Sequence, residues 1–129
     1  MAKGEIGQHI ILVVDDQAGI RLLLQEVFTG EKYRVIAAAD GVQALAKWEE
    51  WDPDLVLLDV KMPGLSGLDV LRKVAAKHRE VPILMMTAYG ELQIVEEALS
   101  LGARGYLTKP FDILELRQTV DILLSGGKT

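Results

Sequence analysis

Four short aliphatic runs, each stopping at polar residues, constrain what this chain can fold into. They read His9-Ile-Ile-Leu-Val-Val, Asp54-Leu-Val-Leu-Leu, Val81-Pro-Ile-Leu-Met-Met and Gly105-Tyr-Leu, and they lead into Asp15-Asp16, Asp59, Thr87 and Lys109. Runs this short, rich in Val, Ile and Leu and bounded by Pro or Gly, fit strands buried on both faces. In a parallel sheet such strand ends share one edge, where α/β folds bind their ligands. Three carboxylates, a hydroxyl and an ammonium then meet in one crevice.

Helical patterns separate the strands. Ile20, Leu23, Leu24, Val27 and Phe28 recur at helical spacing and predict one apolar stripe. Tyr33 to Ala38 reads as another strand, and Gly41 to Glu50 as a helix with Val42, Leu45 and Ala46 inward. Met62-Pro-Gly makes a turn, and Ser66 caps a helix running to about Lys77. A further helix spans Glu91 to Leu101 and ends at Gly102, and Asp112 with Glu115 forms a capping-box pattern for the last one. Five βα units predict an α/β fold of flavodoxin-like (βα)5 type. It is a doubly wound parallel sheet with right-handed crossovers and strand order 2-1-3-4-5. Residues 1–8 read as a loose lead, 9–124 as the domain and 125–129 as a tail.

At 129 residues, half of them hydrophobic, the chain makes one domain with a real core. The formal charge of −5 argues against binding nucleic acid through a broad basic surface. With no cysteine there is no disulfide, thiolate metal site or cysteine nucleophile, which suits a reducing cytoplasm. No apolar stretch approaches a membrane span, and the first run is too brief for a signal peptide. A cytoplasmic domain, monomeric by default, is expected.

Singly, the crevice residues have plain explanations. Asp16 could cap a helix, Thr87 could satisfy local backbone, and Lys109 could be solvated surface. Jointly they are a poor structural choice, because two carboxylates about 4 Å apart repel by about 4 kcal/mol at an effective dielectric near 20. A cation among them resolves this, and hard oxygen ligands without nearby His or Cys point to Mg²⁺, with Mn²⁺ or Ca²⁺ as substitutes. In that scheme Asp16 and Asp59 hold the metal directly and Asp15 assists through water. Asp59 attacks a phosphoryl donor and becomes an aspartyl phosphate. Lys109 offsets charge on the phosphoryl oxygens, and Thr87 donates a hydrogen bond to one of them.

The motifs Val14-Asp-Asp, Leu57-Leu-Asp-Val-Lys-Met-Pro-Gly, Met86-Thr-Ala and Leu107-Thr-Lys-Pro fall in order on these elements. Together they closely resemble the receiver domain of two-component response regulators, over nearly the whole chain. The resemblance implies Asp59 as phosphoacceptor, Lys61 as a metal ligand through its backbone carbonyl, and a cis bond between Lys109 and Pro110. It implies that Thr87 and Tyr106 form a switch pair, with the hydroxyl moving toward the phosphoryl group and the ring turning inward. It also implies that Lys61 and Tyr89 tune water access to the acyl phosphate.

Within the family, Asp15-Asp-Gln-Ala-Gly-Ile-Arg, Thr87-Ala-Tyr-Gly-Glu and Lys109-Pro-Phe-Asp-Ile are similar to the single-domain regulators of sporulation phosphorelays. These accept phosphoryl from a sensor histidine kinase and pass it to a histidine phosphotransferase; a response-regulator phosphatase is a further expected partner. The lack of room for an output domain after the last helix fits that role. Ala18 departs from the aromatic expected there, which bears on partner choice. Gln17, Gly19, Ile20 and Leu23 are the expected docking residues for a helical bundle carrying the donor or acceptor histidine.

Other readings are weaker. Gly126-Gly-Lys-Thr lacks the upstream glycine spacing of a phosphate loop. His9 and His78 sit at a strand start and a polar helix turn, poor places for a phospho-carrier. Trp48 and Trp51 read as local packing, and Glu49-Glu50 and Glu96-Glu97 as solvated faces. An aspartate-nucleophile phosphohydrolase needs a second acid where Lys61 stands, and a flavin carrier needs a Ser/Thr-rich first loop where Asp15-Asp16-Gln17 stands. A phosphate-independent interaction module usually loses part of the crevice set, and this chain retains all of it. A receiver cut from a larger, DNA-binding regulator would share the crevice, with Gly126-Gly127 as the start of a linker.

Overall fold

The computed structural model describes residues 8–30, 32–75, 77, 80–88 and 91–125. The expected lead (apart from Gln8), the Gly126-Gly-Lys-Thr tail, His78 and Tyr89 lie outside the described residues. Strands and helices alternate as β1 (His9–Val14), α1 (Ala18–Val27), β2 (Tyr33–Ala38), α2 (Gly41–Trp51) and β3 (Leu55–Asp59). They continue as α3 (Gly67–Ala75), β4 (Ile83–Thr87), α4 (Leu92–Ser100), β5 (Gly105–Thr108) and α5 (Ile113–Leu124). The five strands are parallel and run in the order β2-β1-β3-β4-β5, as the sequence predicts.

Alternation along the strands divides the core in two. Ile10, Leu12, Val14, Val56, Leu58 and Met85 pack on one face against Ala44, Trp48, Val70, Leu71 and Ala98 of α2, α3 and α4. Ile11, Val13, Leu55, Leu57, Leu84 and Met86 pack on the other against Leu24, Phe28, Leu116 and Val120. Burial on both faces holds for β1, β3 and β4 but not for β5, whose Tyr106 is 44% exposed. As an edge strand β5 has a neighbour on one side only, so the helix layers cover it incompletely.

Several helix faces also need correction. In α2 the inward residues are Gly41, Ala44 and Trp48, while Val42 and Ala46 face water. Trp48 fixes the rotation, since its large side chain takes the core position and turns the residues two back and six back outward. Gly41 allows it, because a Cβ there would lie 2.5 Å from the Leu65 Cβ. In α1, Leu24 and Phe28 are buried but Leu23 is 39% exposed, so the core stripe is narrower than its apolar residues suggest. Pro82 delays β4 to Ile83, and α3 ends at Ala75.

The expected caps are present. Ser66 Oγ accepts from the Asp69 N–H at 3.2 Å while the Ser66 N–H donates to Asp69 at 3.1 Å. Asp112 accepts from the Glu115 N–H at 3.1 Å, and Gly102 follows α4 at φ +113°. Arg72 of α3 pairs with Glu97 of α4, so Glu97 ties two helices together and is not just a solvated charge. Arg34 lies 4.9 Å over the Trp51 ring. No helix among the described residues is long and apolar enough to cross a membrane.

Candidate functional site

The chain leaves β1 in one direction toward β2 and returns past it to β3, so β1 and β3 flank the point where the strand order reverses. Their C-terminal ends diverge there and leave a crevice. Val14 stands opposite Leu58, Asp59 opposite Met86, and Thr87 opposite Thr108. This register brings Asp15, Asp59, Thr87 and Lys109 to one level of the sheet edge. The Lys109 N–H donates to the Thr87 carbonyl at 2.9 Å, and the Lys109–Pro110 peptide is cis, as expected.

One carboxylate oxygen from each of Asp15, Asp16 and Asp59 lies within 4.8 Å of the others. Asp15 is fully buried and Asp59 is 6% exposed, while Asp16 faces water. The Lys109 ammonium sits 2.7 Å from Asp15 Oδ2 and 3.3 Å from Asp59 Oδ1. Asp15 is held by the loop it begins, its Oδ1 accepting from the Gln17 N–H at 2.9 Å and its carbonyl from Arg21 at 2.8 Å. Asp16 is not a helix cap; the N-cap of α1 is Gln17, without a side-chain bond.

Burial pushes the Asp59 carboxyl up from 3.8 to about 6, the Asp15 charge adds to this, and Lys109 opposes it. Burial alone would lower the Lys109 ammonium, but Asp15 and Asp59 more than offset this and its pKa is raised. One lysine therefore neutralises a single charge among three carboxylates, all of them hard oxygen donors with an exposed side open to water. Such a donor set fits Mg²⁺.

Thr87 is buried, and its hydroxyl is engaged within the β4–α4 connection. It lies 3.0 Å from the Ala88 carbonyl and 3.0 Å from Glu91 Oε1. Glu91 also accepts from the Ala88 N–H at 3.0 Å, and its Oε2 lies 3.5 Å from Lys61 Nζ. Burial would raise Glu91, yet Ala88, Thr87 and Lys61 together hold it below its ordinary value. A hollow of about 310 Å³ separates Thr87 from Tyr106, and Glu91, Leu92 and Val95 line it too.

The crevice itself, about 490 Å³, is lined by Asp16, Gln17, Ile20, Asp59, Lys61, Ala88, Glu91, Lys109 and Pro110. Gln17 and Ile20 thus reach its rim. Gly19 is exposed with open space around it, and Leu23 is exposed outside the lining. His9 lies at the opposite end of β1 from the carboxylates.

Two residues of the site are missing from the sequence reading. Glu91 reads there as the first residue of a helix, although a carboxylate three residues after an exposed N–H is a recurring local acceptor. Gly67 has no local signal at all. A Cβ on it would meet the Asp59 carbonyl oxygen at 2.1 Å, a contact made by segments eight residues apart.

A family model described as the response regulator receiver domain matches residues 11–121. The chain is 48% identical over 110 residues to sporulation initiation phosphotransferase F of Bacillus subtilis strain 168, covering 85% of this chain and 89% of that protein. It is 39% identical over 116 residues to the transcriptional regulatory protein PdtaR of Mycobacterium tuberculosis strain H37Rv, covering 89% of this chain but 56% of that protein. The crystal structure of the receiver domain of NtrX from Brucella abortus matches with a TM-score of 0.84 at 32% identity, covering 90% of this chain and 98% of that one.

Proposed function

Because this chain belongs to the response regulator receiver domain family, we propose that Asp59 accepts a phosphoryl group from a sensor histidine kinase. We further infer that the chain relays the group to a histidine phosphotransferase, in a phosphorelay of the sporulation type. The relay step draws its support from the 48% identity to a protein named as a sporulation phosphotransferase. The observation that carries the phosphoacceptor role is the clustering of Asp15, Asp16 and Asp59 within 4.8 Å, with Lys109 reaching the two buried ones.

Asp15, Asp16 and Asp59, with the Lys61 backbone carbonyl, would hold Mg²⁺. When bound, the metal neutralises carboxylate charge and stabilises the phosphoryl oxygens. The remaining chemistry belongs to the side chains. An Asp59 oxygen attacks phosphorus, an O–P bond forms, and the P–N bond to the donor imidazole breaks with its electron pair passing to the nitrogen. Lys109 offsets charge on the transferring group, and Thr87 supplies a hydrogen bond once its hydroxyl turns toward it. Tyr106 then has the adjacent hollow of about 310 Å³ to turn into, which supports a switch pair of Thr87 and Tyr106. Gln17, Gly19, Ile20 and Leu23 form the docking edge beside the crevice. A response-regulator phosphatase would approach the same edge, and a monomer in the cytoplasm suffices for all of these steps.

Intact mass after incubation with acetyl phosphate tests the acceptor, with and without Mg²⁺, on the wild type and Asp59→Asn. A single Mg²⁺-dependent phosphoryl adduct absent from the variant is expected. No adduct, or one surviving the substitution, overturns the assignment of Asp59. Transfer of the label to a purified histidine phosphotransferase tests the relay.

A further inference from the structure

We propose that Glu91 is a positioning residue that restrains the receiver in its unphosphorylated state. Its carboxylate holds the Thr87 hydroxyl, the Ala88 N–H and the Lys61 ammonium, and a phosphoryl group on Asp59 has to win these donors from it. The inference rests on the phosphoacceptor role of Asp59 and extends it to a residue outside the carboxylate cluster.

The geometry is specific. Both Thr87 Oγ1 and the Ala88 nitrogen lie 3.0 Å from the same oxygen, Glu91 Oε1, and Lys61 lies 3.5 Å from the other oxygen. Glu91 occupies the N-cap position of α4 without making a side-chain cap bond to that helix. Its carboxylate is instead turned back onto the β4–α4 connection. The Glu91 side chain is 13% exposed and its bond with Thr87 is partly buried, whereas Lys61 reaches it from the solvent side.

A threonine hydroxyl has one proton and donates it to one acceptor at a time. The Ala88 carbonyl and Glu91 Oε1 both lie 3.0 Å from the hydroxyl, and while either takes that proton Thr87 has none to offer an oxyanion on Asp59. Glu91 and Ala88 line both the crevice and the hollow beside Tyr106, so the restraint stands between the acceptor and the neighbouring strand. Lys61 follows β3 and Glu91 precedes α4 after β4, so their pair links the connections that leave two adjacent strands. A phosphoryl group carries the same kind of anionic oxygens as a carboxylate and competes for the same donors. The two acceptors thus define two arrangements of one element, and Glu91 biases their populations.

Titration of the full chain with beryllium fluoride at saturating Mg²⁺, followed by amide NMR, reads the competition directly. Beryllium fluoride on Asp59 stands in for the phosphoryl group. Glu91→Gln keeps the shape of the side chain and removes its charge; Glu91→Ala removes the acceptor. Binding is expected to tighten by roughly fivefold to tenfold in Glu91→Ala and by less in Glu91→Gln, with the free-state Ala88 amide signal moving in both. The gain should shrink in a Thr87→Ala background, where one of the held donors is already gone. Affinity unchanged or weakened in Glu91→Gln, beside a wild type that binds, overturns the restraint. So does an equal gain with and without Thr87. A wild type that behaves like Asp59→Asn overturns the phosphoacceptor role instead, and the restraint with it.

Discussion

Gly67 passes so close under Asp59 that a side chain on it would meet the Asp59 carbonyl oxygen at 2.1 Å. The Gly67 N–H donates to the Val60 carbonyl at 3.0 Å, which draws the start of α3 against the end of β3. The proposed phosphoacceptor is therefore placed by its strand on one side and by the first turn of the next helix on the other.

Gly67→Ala forces a backbone shift, since the obstructing atom is a carbonyl and not the flexible end of a side chain. It is expected to destabilise the protein by about 1–3 kcal/mol or more and to slow phosphoryl acceptance from acetyl phosphate. Urea unfolding monitored by the fluorescence of Trp48 and Trp51, with adduct formation by mass, measures both. An unchanged midpoint and rate would show that the two segments do not approach so closely.

Asp59 gives stability a pH dependence of known sign. Its pKa rises from 3.8 to about 6 on folding, so its contribution is fully present below about 3.8 and is lost as pH rises through about 6. Above that the ionised carboxylate is a cost, of up to about 3 kcal/mol. In EDTA, Asp59→Asn should be more stable than the wild type at pH 7, and the difference should shrink as pH falls from 6 toward 4. Chemical denaturation of both proteins across that range checks it. Saturating Mg²⁺ should stabilise the wild type more than the variant, in which one carboxylate is gone.

Lys109 is the cation that meets both buried carboxylates, at 2.7 and 3.3 Å. Lys109→Met leaves Asp15 and Asp59 facing one another without it, and a loss of about 3 kcal/mol is expected in the metal-free protein. The same change removes an influence that lowers the Asp59 pKa. Metal-free unfolding and the pH profile of acceptance should both move; a variant as stable as the wild type would mean that the pair contributes nothing net.

The docking edge has a separable test. Ile20 lines the crevice and packs only partly buried against the core, and Leu23 is 39% exposed, so neither truncation empties a fully buried position. Ile20→Ala and Leu23→Ala are expected to slow transfer from a histidine kinase or to a histidine phosphotransferase by roughly tenfold, the loss of an interface anchor of about 1–2 kcal/mol. Acetyl phosphate labelling should stay unchanged. Both reactions falling together, or neither, would argue against docking through these residues.

Much of this was legible in the order of residues. A strand buried between two helix layers needs a continuous apolar run, and a helix start needs a cap, so β1, β3, β4, Ser66 and Asp112 announce themselves locally. Asp15, Asp16, Asp59, Thr87 and Lys109 follow, because each stands at the same end of its strand in a parallel sheet, and parallel strands align their ends.

Contacts between segments carry no such local signature. The exposure of Leu23, Val42 and Tyr106 depends on how far the neighbouring elements extend over them, which no helical or strand period records. The depth of Trp48 rotates α2 away from the face its other apolar residues suggest. Gly67 under Asp59, and Glu91 reaching Thr87, Ala88 and Lys61, arise where separate loops converge at the sheet edge. Periodicity reports the surroundings of a residue within its own element. The crevice is assembled from four connections, and their mutual distances exist only once register and layer packing have brought them together.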